Sequence, residues 1–162
     1  MTDDPDRNDE ENEKERVDRE LGELLDEVRV AIPGAEVLFA FLLGVAFTER
    51  FTELTSVQRG IYFATLLSVA AGIALLVAPT AYHRINFREG GKQALLYSAT
   101  RMVLASLVLL MLSVTGVVFL VADLLYGSTG AAVCAVATAL WFVWFWFVFP
   151  LLRRSSRSPS ET

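Results

Sequence analysis

The chain has 162 residues, 54 % of them apolar and 20 % charged, with a net charge of −5. That apolar share exceeds what soluble domains carry, and no clustered basic face of the kind a nucleic-acid binder needs is present. A single cysteine, Cys134, excludes an intramolecular disulfide and a cysteine-based zinc cluster.

The charge is unevenly placed. Thirteen of the 19 carboxylates precede residue 28, and residues 35–152 hold only Glu36, Glu49, Glu53, Glu89 and Asp123. Helices of a soluble bundle need a polar stripe, so a chain this poor in charge after its start reads as lipid-embedded. Residues 1–15 predict a disordered acidic leader, and MTDDPDRNDEENE lacks the basic flank and apolar core of a secretory leader. From residue 16 to 32, Val17, Leu21, Leu24, Leu25, Val28 and Ile32 recur at three- and four-residue intervals, which predicts a cytoplasmic amphipathic helix. Its polar face is mainly acidic, so anionic headgroups should not attract it.

Pro33-Gly34 interrupts that pattern and marks the start of a first membrane span, residues 33–48. At 1.5 Å per residue it covers roughly 24 Å, short of a hydrocarbon core of about 30 Å. Thr55 and Gln58 have the spacing of a capping box, and the second span, 59–82, follows with Pro79 near its end. Residues 83–94 form a polar loop. The third span, 101–123, contains an uncharged run from Met102 to Ala122, one bilayer crossing in length. A tight turn at Gly127-Ser128-Thr129-Gly130 leads to a fourth span, 131–152, and residues 153–162 form a disordered basic, serine-rich tail.

Basic residues set orientation. With four spans, the start of the chain, the 83–101 segment and the end carry five, four and three Lys or Arg on one side, against Arg50 and Arg59 on the other. The expected architecture is all-α: an integral membrane four-helix bundle preceded by a cytoplasmic amphipathic helix, in the plasma (inner) membrane, with both termini cytoplasmic. Helix packing in lipid favours small residues, and Ala64, Ser68 and Gly72 on the second span, with Ala131, Ala135 and Ala139 on the fourth, have that spacing.

Ionisable residues inside spans are functional candidates. Glu36 falls in the first turn after Pro33, where a carboxylate also suits the helix dipole. Glu49, Arg50, Glu53 and Arg59 share the outer connection, with Asp123 arriving at the same level. They read first as a salt-bridge network pinning short loops, and second as an ion mouth or partner contact. His83, Arg84 and Arg101 gather at the inner face. One histidine without nearby ligands makes no metal site, no catalytic constellation or nucleotide loop occurs, and no cofactor is expected. Seven aromatic residues between Trp141 and Phe149 fit the interfacial belt, or alternatively a lipid or quinone groove.

The stretch from Ala31-Ile32-Pro33-Gly34-Ala35-Glu36 through Phe47-Thr48-Glu49-Arg50-Phe51 to Gln58-Arg59-Gly60-Ile61-Tyr62-Phe63 resembles a known family, as does Ala78-Pro79-Thr80-Ala81-Tyr82-His83-Arg84. It is similar to the small bacterial four-span membrane proteins grouped as domain of unknown function 6328, over residues 21–152. The resemblance implies the four-span architecture and a bacterial-type membrane, and supplies no catalytic residues. The function expected is that of a non-catalytic membrane protein that self-associates or accompanies a membrane protein partner. The alternatives are an oligomeric pore or small transporter, and a lipid- or quinone-binding protein. The lipid bilayer is the one partner implied throughout, and nucleic acid is excluded.

Overall fold

The structure, a computed structural model, describes residues 5–85 and 92–155, with side chains chiefly over 22–81 and 96–153. Every described element is helical. In chain order they are α1 (Pro5–Val45), a 3-10 turn (Glu49–Glu53), α2 (Ser56–Ile85), α3 (Lys92–Val143), a π-helical turn (Trp144–Val148) and α4 (Phe149–Ser155). Three stretches are long and apolar enough to cross a membrane: Gly22–Val45, Ser56–Ala81 and Leu96–Arg153. Four such stretches were expected; the third of these covers both 101–123 and 131–152.

The proline does not divide α1. The helix runs through Pro33, whereas the sequence pattern separates an amphipathic helix from a span there. A proline in a helix interior removes one backbone hydrogen bond and crowds the carbonyl four residues back. Here packing on both sides outweighs that local cost. Leu24, Val28, Ala31 and Ile32 before the proline and Ala35 soon after it join one core with Leu76, Ile73, Val103 and Leu110. Residues 5–15 of the acidic leader belong to α1 as described, which opens at Pro5. Proline at the first position and carboxylates in the opening turns both suit a helix N-terminus. At its other end α1 stops at Val45, short of the expected Thr48.

Within α3 the backbone leaves helical geometry at Gly127, with φ 76° and ψ 176°. The left-handed sign of φ explains glycine there. The chain folds back at this point: Ala135 lines the same groove as Leu112, Gly116 and Phe119. In an uninterrupted helix the sixteen residues from Phe119 to Ala135 would span about 24 Å. Residues 92–126 and 128–143 are therefore two helical segments joined by a one-residue turn. The expected four-residue turn contracts because Gly130 lies against Tyr126, where an added Cβ would come 2.7 Å from the Tyr126 Cβ.

The chain forms two compact units, Met1–Phe47 with Val69–Leu110, and Thr48–Ser68 with Met111–Thr162. In the first, Gly72 is buried against Leu109 and Leu110, and Ser106, fully buried, donates its hydroxyl to the Val103 carbonyl at 2.6 Å. In the second, Thr65 meets Gly116 so closely that any side chain at 116 would collide with it. The Thr65 hydroxyl donates to the Ile61 carbonyl at 2.8 Å, and the Ser113 hydroxyl reaches the Thr65 carbonyl at 3.5 Å. Around these seams large apolar side chains remain exposed, among them Val37, Phe41, Phe63, Leu67, Leu140 and Trp141. Soluble monomers rarely present contiguous apolar surface on this scale, and helices in lipid do so as a rule.

Candidate functional site

Three features collect the polar chemistry of the described residues: a cap at the start of α2, a groove between α2 and α3, and an isolated carboxylate on α1.

The cap begins with the expected capping box. The Thr55 N–H donates to Gln58 Oε1 at 2.9 Å, and the Gln58 N–H donates to Thr55 Oγ1 at 3.3 Å. Gln58 then extends the network, its Nε2 donating to Asp123 Oδ2 at 2.7 Å. One side chain thus satisfies a helix N-terminus and holds the end of the residue 92–126 segment. The expected salt-bridge network is not formed. Among the described residues no ion pair joins Glu49, Arg50, Glu53, Arg59 and Asp123, and the first four are exposed. Arg59 lies over the Phe51 ring at 5.9 Å instead, and Phe51 packs edge-on to Tyr62 at 4.9 Å. Aromatic contact replaces charge pairing because the 3-10 turn swings Phe51 inward and leaves the carboxylates facing outward.

The groove has a volume of ≈ 340 Å³. Its walls include Ala64, Ser68, Thr115, Gly116 and Ala135. The Thr115 hydroxyl is buried and has no hydrogen-bond partner. Buried polar atoms in native proteins are nearly always paired, and Thr115 is the exception among the described residues. The small-residue row on α2 divides here. Gly72 packs closely against its neighbours, while Ala64 and Ser68 face the open groove. Of the second row, Ala131 is fully buried and Ala135 and Ala139 are half-buried.

Glu36 stands apart. With α1 continuous through Pro33, it no longer occupies a first turn; it is the one charged residue between Arg29 and the end of the helix at Val45. Arg29 is seven residues before it and the helix ends at Val45, nine residues after it, distances of about 10 Å and 14 Å along the axis. The carboxylate is exposed, and the neighbours it shows outward are apolar, with Val37 71 % and Phe41 64 % exposed. One turn and two turns later on the same row come Ala40 and Gly44, and an added Cβ at Gly44 would meet nothing within 4 Å.

The remaining candidates are scattered. The side chains of His83 and Arg84, in the last turn of α2, lie outside the described residues. Arg101 sits over the Tyr97 ring at 5.7 Å. In the aromatic segment, Trp141 pairs with Phe145 at 4.9 Å and Phe142 with Trp146 at 4.7 Å, and the turn widens so that the Phe149 N–H donates to the Trp144 carbonyl. The next residue, Pro150, has no N–H to give, which favours a register slip of this kind.

The family model described as "Family of unknown function (DUF6328)" matches residues 10–150. The chain belongs to this family. No curated protein and no solved structure matches it. The DUF6328 match takes in the cap, the groove and Glu36 together. Sequence reasoning overlooked the groove's far wall, because attention to small residues went to the second and fourth spans. A usable signal was present in Leu112, Thr115, Gly116 and Phe119, whose three- and four-residue spacing puts them on one face of the third.

Proposed function

We propose that this DUF6328 chain is a multi-pass inner-membrane protein that crosses four times, keeps both termini in the cytoplasm and works by association rather than catalysis. Self-association is the preferred form, with an accessory role beside another membrane protein as the variant. The fold-back at Gly127 supports counting residues 96–153 as two crossings, since 58 residues would otherwise extend about 87 Å. The twelve-to-two bias of basic residues supports the orientation.

One observation carries the associative reading. Glu36 is exposed well inside an apolar helix, and a charged group near a bilayer centre costs at least about 2.5 kcal/mol unless protein or water surrounds it. A surface that is exposed in the single chain is therefore covered in the working assembly. Native mass spectrometry of protein in nanodiscs tests this. A defined oligomer, or a stoichiometric membrane partner, is expected; a bare monomer at all concentrations overturns it.

The same residue favours a second reading, an oligomeric pore in which several copies bring Glu36 to a shared aqueous path. Glu36→Gln then changes ion flux in liposomes, and equal absence of flux in both proteins removes this reading.

A further inference from the structure

We infer that the row Trp141, Phe145, Phe149 and Arg153 is a seat for one anionic phospholipid, with the lipid phosphate on the Arg153 guanidinium and an acyl chain lying along the three rings. The seat stands apart from the associative reading and requires only that this end of the chain meets a bilayer surface.

The widened turn makes the row. Its members are four residues apart, and in an uninterrupted α-helix each such step drifts about 40° round the axis, about 120° from Trp141 to Arg153. At Trp144–Val148 the Phe149 N–H reaches back to the Trp144 carbonyl, so one extra residue is absorbed and about 100° of that drift is taken back. The helix is regular on either side, with Val143 and Phe149 both in right-handed helical geometry. Exposure agrees with this alignment. Trp141 is 66 %, Phe145 48 % and Phe149 41 % exposed and Arg153 is exposed, whereas Phe142 and Trp146 are half-buried. Contacts run along the row, from Trp141 to Phe145 at 4.9 Å and from Arg153 to the centre of the Phe149 ring at 4.6 Å.

Charge names the headgroup. From residue 124 to 160 the chain has no carboxylate and three arginines, Arg153, Arg154 and Arg157. Among the described residues Arg153 has the Phe149 ring for company and no ion pair. A guanidinium carries five N–H donors in a fork that matches phosphate oxygens two at a time, and an aromatic face steadies it without supplying an acceptor oxygen. A zwitterionic lipid brings its own cation beside the phosphate, which Arg153 disfavours. Length names the rest of the ligand. The twelve residues from Trp141 to Arg153 cover about 18 Å, close to the ~15 Å of hydrocarbon in one leaflet. An acyl chain that starts at Arg153 therefore runs the whole row, whereas a soluble phosphate would leave the three rings unused.

Tryptophan quenching in vesicles tests the seat. Trp141, Trp144 and Trp146 are the chain's three tryptophans, so Trp144→Phe with Trp146→Phe leaves Trp141 as the reporter. In phosphatidylcholine bilayers, phosphatidylglycerol brominated in mid-chain should quench Trp141 with about fivefold preference over phosphatidylcholine brominated alike, the effect expected of one basic side chain at an anionic lipid surface. Arg153→Gln should abolish the preference, Phe149→Leu should lower it with the charge intact, and Arg50→Gln should leave it unchanged. A parent without preference, or a preference that survives Arg153→Gln, would overturn the inference. Native mass spectrometry keeps all three tryptophans in place. With both lipids at equal concentration, the unaltered chain should retain one phosphatidylglycerol that the Arg153→Gln chain loses, and an identical count in the two proteins would overturn the inference as well.

Discussion

At the scale of single residues, Gln58 does the most with the least. It completes a capping box and hydrogen-bonds the Asp123 carboxylate, so its loss leaves a helix start and a charged acceptor unmatched together. Asp123→Ala should cost about 1.5 kcal/mol, the low end for a bond to a charged group because the site is half-exposed. Asp123→Asn should cost less. A double-mutant cycle with Gln58→Ala, read by denaturant unfolding in mild detergent, should return a coupling of at least about 0.5 kcal/mol; a coupling of zero would mean that the bond does not persist in solution. Gly116→Val is the sharper lesion, because its side chain must displace Thr65, whose hydroxyl is already committed to Ile61. A loss of about 1–3 kcal/mol is expected from such overpacking, with a lowered unfolding midpoint as the measure.

At the scale of elements, Gly127 carries the main prediction. With φ 76° and ψ 176° Gly127 sits where essentially only glycine goes, so Gly127→Ala and Gly127→Asn should each destabilise by about 1–3 kcal/mol, read as a lowered unfolding midpoint. Much of the helical layout was legible in sequence. The uncharged runs, the capping box at Thr55 and the break near Gly127 all follow from local chemistry. What was not legible depends on packing or on backbone register. Pro33 reads as a boundary by every local rule, yet Val28 and Ala35 pack on either side of it and carry the helix through. That one revision takes Glu36 out of a first turn and puts it in the interior of α1. The π-helical turn at Trp144–Val148 is equally hidden, since residue types alone do not reveal a slipped hydrogen bond.

At the scale of the whole molecule, the four-crossing arrangement is open to direct test. In the Cys134→Ala background, cysteines introduced at Ser128 and Ser158 should react with an impermeant maleimide from opposite sides of the membrane. Labelling from one side would mean that residues 96–153 do not cross twice. The candidate site was only half visible beforehand: Glu36 and Asp123 stood out as rare charges, whereas the groove arises from residues 61–68, 112–119 and 135 meeting after the fold-back. That fold-back also bears on how the protein is made. A reversal completed by one glycine, flanked by Ser128, Thr129 and Gly130, offers no charged or bulky loop to be drawn through the hydrocarbon. On the proposed four-crossing arrangement the two flanking segments enter the bilayer as a pair, and Asp123, four residues before the glycine, is the one charge carried across with them.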